Sequence, residues 1–200
     1  MATEELTPRQ RRAQNTKQAI LDAAREIISE RGVYGLSLRE IARRIDYSPA
    51  GLYEYFGSKD EIILAVLEEG FERFAVYLSA VPMTLSPGEY LAELGTAYIR
   101  FALQNPQHFF LIFNTPNLSK PDQQEDIVAS GTHNMLVSAV RRAIDSGDIA
   151  AHYREEDVAF GCWSLVHGMA TLMITQLDCI DYDWEAAGRR MFTAWYQGLQ

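Results

Sequence analysis

The feature that most limits what this chain can fold into is a dense run of helix starts and stops between Ser37 and Glu61. Ser37 is a good N-cap and Glu40 lies three residues on, the spacing of a capping box. Leu38, Ile41, Ala42 and Ile45 then recur at helical spacing and give a short helix one apolar face. Asp46-Tyr47-Ser48 breaks that period, and aspartate tolerates the left-handed backbone of a tight turn. Ser48-Pro49 is a second cap, with proline at the first helical position where its missing N–H costs nothing. The spacing predicts a helix from Ala50 to Phe56 with Leu52 and Phe56 facing inward. Gly57 stops it, and Ser58-Lys59-Asp60-Glu61 forms another capping box that opens a longer helix.

Two short helices joined by a tight turn are the arrangement that lays a recognition helix in the DNA major groove. The net charge of −9 looks wrong for such a chain until it is divided. Residues 1–60 carry ten Lys/Arg and nine Asp/Glu, a net of +1, whereas residues 61–200 carry eight and eighteen, a net of −10. From Arg9 to Lys59 the balance is ten basic to six acidic, so the positive charge concentrates where the short helices are. The chain is long enough for one small domain and one medium one, and its composition is that of a soluble globular protein. No uninterrupted apolar run approaches the roughly 20 residues that span a bilayer, and the first residues show no secretory signal, so a cytoplasmic protein with no membrane partner is expected. Cys162 and Cys179 lack metal-ligand spacing and read as two buried thiols. A nucleophile elbow, a phosphate loop, a dinucleotide glycine pattern and metal-spaced histidines are all missing, which excludes the commoner enzyme classes, and no cofactor is expected.

The remaining elements read as helices, which makes the chain all-α. Residues 1–14 are polar, with Arg9, Arg11 and Arg12 close together; they are either a solvated tail or an arm touching DNA. Thr16 to Arg31 is a first helix with Ile20, Ala23, Ala24, Ile27 and Ile28 inward and Gly32 as its stop. Glu61 to about Ala80 is a long amphipathic helix. Ser86-Pro87-Gly88-Glu89 opens a helix to about Gln104, and Asn105-Pro106 ends it. The apolar run His108 to Phe113 reads as a short buried helix, followed by a loop from Asn114 to Asp122 and a helix from Glu125 to Ser146 carrying Ile127 and Val128. A helix beginning at Glu155-Glu156-Asp157 and running to about Leu177 is apolar on nearly every side, and Asp183 opens the last one. Domain limits of 1–60 and 61–200 follow from this reading.

Residues 16 to 63 resemble the N-terminal domain of the TetR (tetracycline repressor) family of transcriptional regulators. The resemblance rests on the alanine-rich first helix, Ser37-Leu38-Arg39-Glu40-Ile41-Ala42, Ser48-Pro49, Leu52-Tyr53, Tyr55-Phe56 and Ser58-Lys59, in order and at the right spacing. The chain departs from the family at Asp46, where the turn usually has glycine, and at Gly51 and Glu54, where small polar or basic residues are common. Trp163-Ser164-Leu165-Val166-His167-Gly168 is also similar to the Trp-His-Gly signature of one subgroup of TetR-type C-terminal domains. The resemblance implies a three-helix DNA-binding domain followed by a larger helical domain for ligand binding and dimerisation. It implies a homodimeric repressor, released from a pseudo-palindromic operator on double-stranded DNA by a small apolar or aromatic effector.

Site residues follow position by position. Tyr53, Tyr55 and Lys59 stand where phosphate contacts are usual, although Tyr53 also fits a core aromatic. Ser37 is both cap and phosphate donor, and Ser48 caps the helix that carries the groove-facing Pro49, Ala50, Gly51 and Glu54. Glu54 either accepts from cytosine or pairs with Arg39 or Arg43 on the surface; Arg39 stands where arginine reaches guanine. Arg43 and Arg44 read as solvated helix charges. An effector pocket is expected among His108, Phe109, Phe113, His133, Met135, Trp163, His167 and Met173, each of which also fits a plain core position. A helix apolar all round needs cover on every side, so Phe160, Trp163, Met169, Met173, Trp184, Phe192 and Trp195 are expected at a dimer interface built as a four-helix bundle.

Overall fold

The computed structural model describes residues 6–114, 131–177 and 179–200, and every regular element among them is helical. The expected loop from Asn114 to Asp122 (beyond Asn114 itself) and the start of the helix carrying Ile127 and Val128 lie outside the described residues. The chain divides into two compact units. One holds the described residues as far as Gly70 together with 110–114, and the other those of 71–109 and 131–200.

The first unit opens with α1, Pro8–Arg31, which starts eight residues earlier than its apolar face suggests. Thr7 caps it and Gln10 completes a capping box, with proline at the first position, the same signature that opens other helices of this chain. The part of the expected tail from Pro8 to Gln14 is therefore helix. Gly32, at φ 70°, ends α1, and a single 3₁₀ turn (Val33–Gly35) leads to α2, Leu38–Arg44. Ser37 sits at the N-cap of α2 in extended geometry, but its side chain makes no cap bond. The expected capping box does not form because the Glu40 carboxylate is drawn forward: it accepts from Arg43 at 2.7 and 3.0 Å and from Arg44 at 3.4 Å. Asp46, at φ 53°, takes the left-handed position. The Tyr47 N–H then reaches back to the Ala42 carbonyl at 2.8 Å and closes a Schellman turn.

Ser48 caps α3, Pro49–Leu52, by accepting from the Gly51 N–H at 3.0 Å. The helix expected to reach Phe56 stops at Leu52 because the backbone tightens. The N–H groups of Tyr53, Glu54 and Tyr55 each bond a carbonyl only three residues back, at 3.3, 3.2 and 3.0 Å. At the start of α4, Lys59–Ser79, Ser58 Oγ accepts from Glu61 N–H at 3.1 Å. The Glu61 carboxylate passes the cap residue and accepts from the Gly57 N–H at 2.8 Å. Ile20, Ile27, Ile41, Leu52, Ile62 and Ile63 are each no more than 1% exposed and form the core of this unit. Each contributes about 2 kcal/mol by burial.

Arg44 ties that core together from outside. It bonds Glu26 at 3.1 Å and Glu30 at 2.6 Å on α1 as well as Glu40, so it is the hub of a network rather than a solvated charge. Arg43 remains 71% exposed. A second clamp joins α1 to α4 through Arg25 and Glu69 at 2.6 Å.

In the second unit α5, Pro87–Gln104, lies at the centre. Its capping box forms as expected, with Glu89 accepting from Ser86 N–H at 3.1 Å and Oγ at 2.6 Å. Tyr90, Leu91, Leu94, Tyr98, Ile99 and Phe101 are all 5% exposed or less, so α5 is buried on more sides than any periodicity of its own required. Around it pack the end of α4, the start of α6 (Pro106–Asn114, whose residues 110–114 fall in the first unit), α7 (Gly131–Asp145), α8 (Glu155–Thr175) and α9 (Trp184–Gln197). The short buried α6 is as expected, with Phe109 1% and Leu111 4% exposed. Arg142 of α7 holds the connection before α5 by donating to the carbonyls of Met83 at 2.9 Å and Leu85 at 2.7 Å, with its head over the Tyr90 ring.

Two expectations need correction here. Cys179 is exposed, not buried; only Cys162 is, and burial pushes its thiol up to about 12. Moreover, α8 is long and apolar enough, by length and composition, to cross a membrane, although no single apolar run in it is long. Its His, Ser, Thr and Gly residues interrupt the run while lowering the mean hydropathy only modestly. Only 33% of that window is buried within the chain.

The Arg44 network makes stability depend on pH. Hydrogen bonds from Arg43 and Arg44 hold the Glu40 carboxyl down at about 2, below its ordinary value of 4.5. A depressed carboxyl contributes stability that is complete above the unfolded value and is lost as pH falls toward the folded one. The urea midpoint of the native chain should therefore fall between pH 4.5 and 2 more steeply than that of Glu40→Gln, and the gap between them should close as pH drops. Parallel curves would show that the network does not act.

Candidate functional site

Two groups of expected residues are brought together, one in each unit. In the first, the surface around α3 is built by turn chemistry. Ser37, Arg39, Ser48, Pro49, Ala50, Tyr53 and Glu54 are exposed, and Gly51, Tyr55 and Lys59 are half-buried. Tyr53 is 58% exposed, so it is not the core aromatic that its apolar ring would also allow. Arg39 and Glu54 form no ion pair with each other or with another described residue, and Arg43 turns to Glu40 instead. Arg39 therefore stands as an exposed guanidinium with its five donors uncommitted to any described carboxylate.

Tyr47 is the residue of this surface that the sequence reading passed over. Its ring lies edge-on to Tyr55 at 6.2 Å, and the hydrogen bond with the Tyr55 hydroxyl raises its ionisation above the ordinary value. The same ring covers Gly51: a Cβ there would come within 2.5 Å of Tyr47 Cε1 and 3.0 Å of Ser48 Oγ. Gly51 thus permits a close approach inside the protein, whatever it offers to a partner. Lys17 of α1 lies 5.4 Å from the Phe56 ring centroid and fixes the end of the same segment to α1. The surface presents hydroxyls, the exposed Arg39 guanidinium and small groups, which can donate to phosphate oxygens and approach base edges closely.

The second group is an aromatic cluster around α5. Phe109 stacks on His167 at 5.3 Å, and His133 meets Trp163 edge-on at 6.3 Å. Tyr98, which periodicity marks only as one more core aromatic, joins them. Trp163 Nε1–H donates to the Tyr98 oxygen at 3.4 Å, and Tyr98 lies 2.8 Å from His167 Nδ1. Because the Tyr98 oxygen already accepts from Trp163, all three groups are satisfied when Tyr98 donates to His167. Burial supports that arrangement, raising Tyr98 and lowering His167 so that both stay neutral. The ring of Phe74, at the end of α4, lies edge-on to Tyr98 at 5.2 Å. Of the other expected pocket residues, His108 and Met173 are buried and Phe113 and Met135 half-buried. Met173 faces Gly188 of α9 rather than this cluster.

The residues expected at a dimer interface separate into two sets. Met173 and Phe192 are 6% and 5% exposed within one chain, and the Trp195 ring is occupied against Gly161, where a Cβ would come within 2.6 Å. Met169 and Trp184 are half-buried. Phe160 is 70% and Trp163 39% exposed, and Leu172 of α8 and Met191 of α9 are also open, at 52% and 62%.

Comparison with known proteins places these sites in context. Residues 20–66 match the bacterial regulatory proteins of the tetR family, and residues 91–195 match the tetracyclin repressor-like C-terminal domain. The uncharacterized HTH-type transcriptional regulator YobS of Bacillus subtilis (strain 168) is 23% identical over 158 residues, 79% of this chain and 78% of YobS. The HTH-type transcriptional regulator UidR of Escherichia coli (strain K12) is 42% identical over 64 residues; these are 32% of this chain and 33% of UidR, so that match spans about a third of the relative. The crystal structure of SCO4313, described as a regulatory protein, has a TM-score of 0.72 and 30% identity, over 96% of this chain and 100% of that one.

Two outcomes follow. Gly51→Ala should push the Tyr47 ring off its place and cost about 1–3 kcal/mol in urea unfolding. Adding Tyr47→Ala should recover most of that loss; strict additivity in the double-mutant cycle would mean that the two residues do not share the space. His167, lowered by desolvation, should titrate below its ordinary value of 6.5 in a proton NMR series. Its contribution to stability is complete above that value and decreases as pH falls below it. A His167 signal titrating at or above 6.5 would be inconsistent with a neutral, Tyr98-bonded ring.

Proposed function

Since the chain belongs to the tetR family of bacterial regulatory proteins, we propose that it is a homodimeric repressor, released from its operator by a small apolar or aromatic effector. The helix-turn-helix and DNA binding come with the family. The finer assignment rests chiefly on one observation: α4 carries Lys59 of the DNA-facing segment at its start and Phe74, packed on Tyr98, near its end. One continuous helix therefore takes part in both groups of site residues.

In this reading residues 1–60 bind DNA and residues 61–200 bind the effector and the second copy. Ser37, Tyr53, Tyr55 and Lys59 hold phosphates, Arg39 reads guanine, and Pro49, Ala50 and Gly51 approach the bases closely. Ser48 keeps that segment in place, and Glu54 is left to accept from cytosine. The effector enters beside Phe109, His133, Trp163 and His167, within the C-terminal domain that carries the Trp-His-Gly sequence. It binds better to the conformation that cannot span the operator and so lowers the population that can. His108, Phe113, Met135 and Met173 shape the surrounding core. The uncovered face of α8 and α9 pairs with itself, Phe160, Leu172 and Met191 joining Trp163 at an isologous contact. Such a dimer places two recognition segments roughly 35 Å apart. A cytoplasmic location fits its DNA target, and pairing with a second copy is the reading of the open α8 face preferred here over a membrane span.

Two measurements test this reading. Fluorescence anisotropy with duplexes selected from a random pool should enrich an inverted repeat; no enrichment would count against an operator-binding dimer. In sedimentation velocity, Phe160→Arg combined with Leu172→Arg should turn a dimer into a monomer with retained helicity. A chain that stays dimeric would move the interface elsewhere.

A further inference from the structure

The first turns of α1 present a concentration of charge that the site above does not use. Between Leu6 and Leu21 the sequence has Arg9, Arg11, Arg12 and Lys17 and no carboxylate. Residues 6–15 are all exposed, so no packing explains why this stretch is ordered as helix. Elsewhere arginines find partners inside the chain: Arg25, Arg43, Arg44, Arg100, Arg141 and Arg189 each hold a carboxylate. Arg9, Arg11 and Arg12 hold none among the described residues. Three like charges in the first turns are also unfavourable against the helix dipole, with no acidic residue there to offset them.

The stretch has a defined place relative to the DNA-facing segment. Lys17 lies over Phe56, the residue that closes the segment after α3. At about 1.5 Å per residue, Arg12 and Arg9 stand roughly 8 and 12 Å beyond Lys17 along the axis of α1. That distance is about three base pairs of duplex, to which an arginine side chain adds its own reach.

We propose that the first two turns of α1 form a second DNA-binding element, a basic helical extension whose Arg9, Arg11 and Arg12 bind backbone phosphates flanking the site held by the recognition segment. The inference rests on the DNA-binding reading given above. The extension adds affinity and salt dependence and does not read sequence, because its contacts are to phosphate. Partner phosphates supply the counter-charge that the chain itself withholds from these arginines.

The test compares the full-length native chain, the triple variant Arg9→Gln/Arg11→Gln/Arg12→Gln, and the charge-preserving Arg9→Lys/Arg11→Lys/Arg12→Lys. Glutamine and lysine keep helix propensity close to that of arginine, and circular dichroism verifies the fold. Each protein is titrated by anisotropy on a selected duplex and on a mixed-sequence duplex between about 50 and 200 mM salt. Removing one arginine–phosphate pair should reduce the slope of log K against log salt by about 0.9. The glutamine variant should show a shallower slope on both duplexes, an affinity lowered tenfold or more, and an unchanged preference between them; the lysine variant should restore the slope. An unchanged slope and affinity in the glutamine variant would overturn the inference and leave the operator reading intact. A native chain that selects no sequence, but whose slope on mixed DNA still falls in the glutamine variant, would overturn the operator reading and leave the extension standing. A native chain indifferent to both duplexes at low salt would overturn both.

Discussion

A seven-residue helix followed by a four-residue one cannot hold its shape by its own hydrogen bonds, because helices of that length are marginal in water. The DNA-facing surface therefore depends on what fixes α2 and α3 from outside. Ile41 and Leu52 sink into the core between α1 and α4, while Arg44 ties the end of α2 to two carboxylates of α1. The left-handed Asp46 and the Ser48 cap then fix the angle between the two short helices. The same network explains why Glu40 does not complete the capping box with the Ser37 N–H: its carboxylate has a stronger partner in guanidinium than in a backbone N–H.

The charge distribution separates the molecule by task. In the second unit Arg100, Arg141 and Arg189 each pair with a carboxylate on a neighbouring helix, and so help to hold helices together. Arg39 and the arginines at the start of α1 have no such partner among the described residues, and they lie in the unit that carries the helix-turn-helix. A chain with net charge −9 can thus present a cationic surface locally, because all of its acidic excess lies after residue 60.

Much of this was legible in the residues. The caps at Ser48, Ser58 and Ser86, the stop at Gly32 and the left-handed turn at Asp46 are local chemistry, and local chemistry can be read in order. What the sequence hid depends on long-range partners. The competition for Glu40 involves Arg44, whose own partners lie on α1, far along the chain. Tyr98 could not be told from any other core aromatic until Trp163 and His167 were seen beside it. The start of α1 at Pro8 was a different kind of miss, since Thr7-Pro8-Arg9-Gln10 is a plain capping box that an expectation of a polar tail obscured. The apolar α8 is only partly covered within the chain, while the helix buried on most sides proved to be α5.

The open face of α8 and α9 has a consequence for gene dosage. In the dimer proposed above, a second copy covers Phe160, Leu172 and Met191, which one chain leaves exposed. Its stability then rises with its own concentration, as for any protein whose folded form is selected by association. While most copies are still single, the population of dimer grows as the square of the number of chains. On the proposed dimeric repressor, operator occupancy inherits that square, so a modest change in synthesis or degradation of the chain becomes a larger change in control of its target.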